Sequence, residues 1–218
     1  MVFSRVLAAC LLLSSLPASA DVILSLDDGL GNSVVVEDGG ANDDSDLDGV
    51  VVFNGALGDF IINVSTGIST PVLGSEDQPI LDLNSVDVSS GAGSLTIGLT
   101  ATGFTGPVGS SNFRFLLGGT TDGSVDASFY YDSSNTAFGT EELLGSMLGT
   151  DGAFSGSTGG SFTNESELYS MTIFSTITHG GGVQISSFDA YAAVPEPNTL
   201  ALLGLGLLGA GAARRRKA

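Results

Sequence analysis

The chain is poor in the residues that most often carry enzyme chemistry. Its 218 residues include one cysteine, one histidine and no tryptophan. A centre built from several histidines is therefore excluded, and a serine–histidine–carboxylate triad would have to use His179, which ends an apolar run beside three glycines. Sugar-cleaving sites combine two carboxylates, usually with aromatic platforms, and the lack of tryptophan weakens that interpretation. We predict that the protein is not an enzyme.

Positive charge is almost absent from the middle of the chain. Of the six basic residues, only Arg114 lies between residues 21 and 196, whereas all 24 acidic residues lie there. That segment therefore carries 23 net negative charges. Such a surface repels phosphate backbones, so we predict no nucleic-acid partner. It attracts hard cations such as Ca²⁺ and favours solubility through self-repulsion.

Residues 1–20 have the three parts of a secretory signal peptide: a basic residue, Arg5, then an apolar run, then Ala-Ser-Ala. The pattern predicts a signal helix that signal peptidase cleaves between Ala20 and Asp21 after export through the Sec translocon. A membrane-spanning first helix is the alternative, but the apolar run is shorter than the roughly 20 residues that a span needs. Cleavage would also remove Cys10, which leaves no disulfide, reactive thiol or thiolate metal site.

Short apolar runs separated by glycine-rich turns fill the chain after this segment. The runs are residues 22–26, 33–36, 50–53, 60–66, 81–88, 94–101, 112–117, 124–131, 167–179 and 183–194. Apolar and polar residues alternate in 81–88, which indicates a strand with one buried face. The series predicts an all-β domain over residues 21–193, an antiparallel β-sandwich of jelly-roll type.

Three local patterns qualify this prediction. Asn54-Gly55 predicts a hairpin turn after the third run, because both residues tolerate positive φ. Residues 141–148 are consistent with one short helix or with a further strand. Residues 149–166 have almost no bulky side chains, which predicts a long mobile loop or a poorly paired edge hairpin.

An aspartate-rich loop, residues 38–49, is a candidate Ca²⁺ site. Asp44, Asp46 and Asp48 alternate before a glycine, and alternate carboxylates in a tight loop can point at one ion. A complete EF-hand loop would need a glutamate at its twelfth position, which is Gly55 here, so that motif fails. An acidic, solvated loop without an ion is the alternative interpretation.

The C-terminal segment, residues 194–218, also has three parts. It begins with Val194-Pro195-Glu196-Pro197, and two prolines in three residues end the strand-forming part of the chain. The apolar run 199–213 predicts a short transmembrane helix of about 22 Å, less than the roughly 30 Å of a bilayer core. The basic tail consists of Arg214, Arg215, Arg216 and Lys217. It argues against a buried core helix and would stay on the cytoplasmic side of an inner membrane.

These three parts, with a signal peptide at the other end, resemble the PEP-CTERM sorting signal of Gram-negative bacteria. The resemblance implies that exosortase, an inner-membrane transpeptidase-like enzyme, processes the chain near Pro195–Pro197. It further implies an inner-membrane intermediate and a final place at the cell surface or in the extracellular matrix. Proteins of this family are associated with exopolysaccharide, biofilm and floc formation. Body segments such as 49–69 are similar to small PEP-CTERM proteins of unassigned function.

Two functions remain open on this basis. The first is a structural or adhesive component of the surface or exopolysaccharide matrix, whose carboxylates bridge through Ca²⁺ to acidic polysaccharide or to neighbouring copies. The alternative is a Ca²⁺-dependent, lectin-like carbohydrate-binding module. Tyr130 and Tyr131 are its candidate sugar contacts, and only one of them should be exposed, because neighbours in a strand point to opposite faces.

Overall fold

The structure is a computed structural model that describes residues 21–195. The predictions made for the signal peptide, for Glu196 and Pro197, for the apolar run 199–213 and for the basic tail therefore lie outside the described residues. In the part of the chain that is described, no helix is both long enough and apolar enough to cross a membrane.

All regular secondary structure between residues 21 and 195 is β-strand, as the sequence predicts. The strands are β1 (Val22–Asp27), β2 (Ser33–Glu37), β3 (Val50–Leu57), β4 (Phe60–Ile68), β5 (Ile80–Ser89), β6 (Ala92–Phe104), β7 (Gly109–Asp132), β8 (Glu142–Asn164), β9 (Tyr169–Gly180) and β10 (Gln184–Ala193). Every pairing between them is antiparallel.

The strands form one continuous sheet in the order β2-β1-β6-β9-β7-β10-β5-β4-β3, with β8 beside β7. The ladder is continuous because β7 joins its two halves: residues 114–121 pair with β10, and residues 124–132 pair with β9. The two ends of the sheet meet, since β1 contacts β3 and β4, and β5 contacts β6 and β9. The prediction of an all-β, antiparallel domain is confirmed. A sandwich of two separate sheets would have hydrogen bonds only within each sheet, whereas here one continuous sheet folds over on itself.

The core lies between the two halves of this sheet. Its largest completely buried side chains come from both halves: Phe60, Leu81 and Leu83 on one side, and Leu24, Leu95, Ile97 and Phe129 on the other. Phe129 connects them, because its ring lies 5.8 Å from that of Phe115 and 6.1 Å from that of Phe113. Burial of these rings and aliphatic chains is the main stabilising contribution in a body without disulfides.

The glycine-rich run 149–166 is not a loop; it lies in an edge hairpin of β7 and β8, as the alternative predicted, although it is paired along most of its length. Most of it belongs to β8, and the strand alternative for 141–148 is the correct one. β8 bends at Asp151-Gly152, where both residues have positive φ, and its two halves then face each other. A Cβ on Gly145 would lie 2.8 Å from Cγ2 of Thr158. The two halves of β8 approach each other so closely that small residues are required. In the sequence, such a run of small residues looks like an unstructured segment.

The hairpin predicted after the third run forms between β3 and β4, but its turn does not lie at Asn54-Gly55. β3 continues to Leu57, the turn falls at Gly58 with a φ of +56°, and the ladder with β4 shifts register between Phe53 and Gly55. A Cβ on Gly58 would collide with Oδ2 of Asp28 in a neighbouring turn. This tertiary contact requires glycine at position 58, whereas Asn54-Gly55 is taken up in a β-bulge.

Candidate functional site: a groove on the outer face of the sheet

A groove of about 620 Å³ lies on the outer face of the half of the sheet that contains β5, β10 and the first part of β7. Residues from four strands line it, among them Asn84, Leu116, Gly118, Ser155, Asp189 and Tyr191. Its volume falls in the range of small-molecule sites in proteins. The groove is open to solvent along the sheet surface, so it suits an extended ligand.

Strand periodicity explains why these side chains face outward. On β5, Leu81 and Leu83 are completely buried, so the intervening residue, Asp82, and Asn84 point to the opposite face. On β10, Ala190 is completely buried, so its neighbours point outward in the same way. The polar groups of the groove are thus the solvent face of strands whose other face builds the core.

Strand register brings the groove residues together. Asp189 lies opposite Asn84 on one side and Gly118 on the other. Tyr191 lies opposite Asp82 and Leu116 in the next row. Side chains directly opposite each other in an antiparallel pair have Cβ atoms roughly 4.5–5.5 Å apart. A carboxylate pair, an amide and a phenol therefore form one cluster beside an apolar floor.

Gly118 keeps the centre of the groove open. A Cβ at this position would lie at ordinary van der Waals distance from its nearest neighbour, the Phe154 carbonyl oxygen at 3.7 Å, so glycine leaves room here that a side chain would fill. Ser155, opposite Gly118 on β8, is also small. Across the sheet, Asn84 and Asp189 are therefore followed by two small residues, Gly118 and Ser155. Tyr191 and Leu116 lie beside them, one pair further along the strands.

The two aspartates of the cluster influence each other. Burial raises the pKa of Asp82 to about 6, and the nearby negative charge of Asp189 and a hydrogen bond between the two carboxyls act in the same direction. A hydrogen bond of 2.7 Å from Nδ2 of Asn84 to Oδ1 of Asp82 opposes them. Near pH 6 the pair therefore offers both a hydrogen-bond donor and acceptors.

The only basic residue between residues 21 and 196 lies on the same face. Arg114 is exposed and lies two residues before Leu116 on β7, so both side chains point outward. It stands opposite Ala193, one row beyond Tyr191. A guanidinium thus stands on the same outer face as the groove carboxylate of Asp189, one row beyond Tyr191.

The aspartate-rich loop is held by its own hydrogen bonds. Asp43 accepts three backbone hydrogen bonds, from Ser45 at 3.0 Å, Val52 at 2.8 Å and Gly39 at 3.1 Å. Asp38 accepts another from the Gly49 amide at 2.6 Å. These hydrogen bonds close the loop onto β3.

The structure does not gather the three predicted calcium ligands. Asp44 accepts a hydrogen bond of 3.0 Å from Nδ2 of Asn54, whereas Asp46 and Asp48 are exposed. Within residues 21–195, no group of three or more His, Cys, Asp or Glu side chains is arranged to hold a metal ion. Calcium binding by Asp44, Asp46 and Asp48 stays a prediction.

His179 is enclosed in the core. Its Nδ1 lies 2.6 Å from Oγ of Ser89, its Nε2 lies 2.9 Å from Oγ of Ser186, and its ring stacks on that of Phe60 at 5.7 Å. The Ser186 hydroxyl in turn lies 2.6 Å from that of Thr121. Burial lowers the pKa of His179, so the imidazole is neutral at physiological pH. This arrangement is a buried polar network that joins β5, β7, β9 and β10.

Asp87 is a buried carboxyl that the sequence pattern did not single out. Its side chain is completely buried, and Oγ of Ser85 donates a 2.7 Å hydrogen bond to its Oδ2. Among the described residues, its Oδ1 has no hydrogen-bond partner. Burial raises the pKa of Asp87 to about 7. The signal was present in β5, where polar residues replace leucine at the inward positions after Leu83.

The two predicted ends of the domain can be located in part. Asp21, at the predicted cleavage site, is exposed, and its carbonyl accepts a hydrogen bond from the Thr102 amide at 3.2 Å. At the other end, Val194 is buried and its amide donates to the Pro79 carbonyl at 3.0 Å, whereas Pro195 is exposed. The sorting motif thus begins where the chain leaves the sheet.

Of the two candidate sugar-contacting tyrosines, Tyr131 is buried, and its hydroxyl donates to Oδ1 of Asn164 at 3.0 Å. Tyr130 is half-buried on the outer face of the other half of the sheet, edge-on to Phe174 at 6.2 Å. Neither lines the groove, whose tyrosine is Tyr191.

These observations define an all-β protein with an open polar groove on one outer face and a sorting segment that follows its last strand. A model of the PEP-CTERM protein-sorting motif matches residues 193–217. The resemblance drawn from the sequence is confirmed for this segment, and the chain carries a PEP-CTERM protein-sorting motif. The motif marks it as an exported protein that exosortase processes. The match covers the C-terminal segment alone.

Comparison with other proteins adds little about the body. No curated protein matches the chain. Similar solved structures include the module TmCBM61 in complex with β-1,4-galactotriose (TM-score 0.28, 10% identity, 63% of this chain and 90% of that chain). They also include the mannan-recognising carbohydrate-binding module TmCBM27 (0.25, 9%, 62% and 88%) and the Escherichia coli ribosomal oxygenase YcfD (0.26, 10%, 86% and 42%). Likenesses this weak establish no common fold, and no functional argument follows from them.

Proposed function

We propose that this chain is a cell-surface or matrix protein of a Gram-negative bacterium that adheres to exopolysaccharide through the outer-face groove. Exosortase delivers it, and residues 199–213 hold it in the inner membrane only during export. The folded-over sheet acts as a jelly-roll-like sandwich that presents the groove. The observation that carries this proposal is the clustering of Asn84, Asp189 and Tyr191 in that groove.

The groups in the groove match the chemistry of a sugar. Carboxylates and amides bind pairs of hydroxyl groups through directional hydrogen bonds, and the apolar face of a sugar ring packs on an aromatic side chain. Asp189 and Asn84 supply the first kind of contact, and Tyr191 supplies the second. The open ends of the groove admit a polymer chain, which a closed pocket would not.

The groove binds sugar and does not cleave it. Glycoside hydrolysis needs two carboxyl groups about 5 Å or more apart, on opposite sides of the scissile bond. Of these two carboxyl groups only that of Asp189 lines the groove, and its charge raises the pKa of Asp82, so the two act as one close pair and not from opposite sides of a sugar ring. In this proposal Ca²⁺ acts only in bridging surface carboxylates, and sugar binding in the groove is independent of it.

A glycan array probed with the exported protein recovered from its host tests the proposal. We expect selective, saturable binding that survives chelator and that Tyr191→Ala abolishes. Tyr130→Ala is the matched control, because it removes a half-buried tyrosine from the opposite outer face. Absence of any binding, or equal loss in both variants, would leave only the structural role. Chelator-sensitive binding would favour the Ca²⁺-dependent lectin instead.

The sorting part of the proposal is tested separately by intact mass and cell fractionation. We expect the mature protein in the surface or matrix fraction, with a mass that lacks the signal peptide and residues of the C-terminal tail. A mass that still includes residues 198–218, recovered from the inner membrane, would contradict the proposed route. That result would not bear on sugar binding by the groove.

A further inference from the structure

β8 is an edge strand along its whole length. Of the strands between residues 21 and 195, its 23 residues pair with β7 alone. Among the described residues, no backbone hydrogen bond joins β8 to any segment except β7. Most of its residues are exposed. One row of its N–H and C=O groups is therefore open to another strand.

The usual protections of an edge strand are missing from the second half of β8. Edges are normally short, charged, interrupted by proline or distorted by a bulge. β2, at one end of the sheet, has five residues and ends at Glu37, and β3, at the other end, contains the bulge at Asn54. Residues 152–164 contain no charged residue and no proline, over roughly 43 Å of strand.

The distribution of charge determines where a second copy of the chain can approach this edge. A second copy of the chain is repelled over most of the surface, because the body carries 23 net negative charges. The uncharged run 152–164 is where two copies can approach with the least repulsion. Antiparallel pairing of a strand with itself is symmetric about a two-fold axis, so one patch serves both partners.

We propose that two copies of this chain associate by antiparallel pairing of β8 with β8, centred near Thr158. In that register the charged residues Asp151 and Glu165 fall opposite each other at the two ends of the paired segment. The small outward side chains of Ser157 and Ser161 leave the approaching backbone unobstructed. The result is a sheet continuous across two molecules, and its paired edge borders the groove, which Ser155 also lines.

Sedimentation of the exported protein over a concentration series tests this proposal. We expect a monomer–dimer equilibrium that tightens as salt is raised, because salt screens the net negative charge and the Asp151–Glu165 contacts. The double variant Ser157→Glu and Ser161→Glu places like charges across the paired edges. It should weaken association by about tenfold or more.

The matched control is the double variant Thr120→Glu and Thr178→Glu. It adds the same charge at exposed positions on β7 and β9, strands whose two edges are both paired. It should keep dimerising, and circular dichroism and thermal melting should show all three proteins folded. A wild-type monomer at every concentration, a dimer that the β8 variant leaves intact, or equal loss in the control would each overturn the proposal. Because Tyr191→Ala should leave the dimer unchanged, failure here is distinct from failure of sugar binding.

Discussion

Asp87 of β5 lies directly opposite Ser186 of β10, and both side chains are completely buried. Ser186 belongs to the hydroxyl–imidazole network of His179, whereas Asp87 has one oxygen without a partner among the described residues. A carboxyl in this position is far less costly when protonated, because an ion there would be desolvated and unpaired. The core of the protein thus contains a carboxylic acid and a neutral imidazole, and Ser186 neighbours both.

Asp87 should make the protein less stable as the pH rises. Its folded-state pKa is raised to about 7, whereas an unfolded aspartate titrates near 3.9, so the folded state holds the extra proton between these values. The contribution of Asp87 is complete below about pH 4 and is lost as the pH approaches 7. Asp87→Asn should remove this loss and raise the melting temperature above that of the wild type at pH 8.

The control for this prediction is Asp126→Asn, an exposed aspartate on β7. Melting curves from pH 4 to pH 8 should show the wild type and the control losing stability in parallel, while Asp87→Asn changes less. Identical pH profiles for all three proteins would mean that Asp87 is ionised in the folded state.

His179 should resist protonation. Burial lowers its pKa, so folded protein binds fewer protons than unfolded protein just below pH 6.5, and its contribution to stability is lost on acidification. Because His179 is the only histidine in the chain, its ring proton signals in an NMR titration need no assignment. We expect a midpoint below 6.5, and a midpoint at or above that value would show that the network favours the imidazolium.

Sequence periodicity predicted most strands, but it could not show which side chains in the second half of β5 face the core. Apolar residues occupy alternate positions up to Leu83, and the next ones are Val86 and Val88. The pairing of β5 with β10 runs without a bulge, so the valines face outward and Ser85 and Asp87 face the core. The sequence shows that the apolar residues change from odd to even positions after Leu83. Which set faces the core depends on strand register, which the sequence alone does not determine.

The groove was beyond reach of the sequence for a related reason. Asn84, Leu116 and Tyr191 are far apart along the chain, and they become neighbours only because β10 inserts between β5 and β7. Strand order in an antiparallel sheet is set by packing of the whole core, and local patterns do not encode it. The sorting segment is the opposite case, since its three parts are contiguous and were identified from the sequence.

The close contact between the halves of β8 predicts a sharp difference between two glycines. A Cβ on Gly149 would collide with the ring of Phe154, whereas one on Gly118 would make only ordinary van der Waals contacts, the nearest at 3.7 Å. Gly149→Ala should therefore destabilise the protein by about 1–3 kcal/mol. Gly118→Ala should be tolerated within about 1 kcal/mol. Urea unfolding of both variants measures this, and equal effects would contradict the close packing of the β8 bend.

Asp43 should contribute to stability by holding the aspartate-rich loop closed. Asp43→Ala removes the acceptor for three backbone amides, those of Gly39, Ser45 and Val52, and should cost about 1–3 kcal/mol of stability. Asp46→Ala, at an exposed position in the same loop, should change stability by less than about 0.5 kcal/mol.

Melting with added Ca²⁺ and with chelator separates this role from ion binding. Since the loop is closed by its own hydrogen bonds, the melting temperature should be the same in both conditions. A cation that binds only the folded state stabilises it in proportion to the logarithm of its concentration. A rise in melting temperature with Ca²⁺ that Asp46→Ala abolishes would therefore establish the calcium site predicted from Asp44, Asp46 and Asp48, and would show that the loop rearranges to form it.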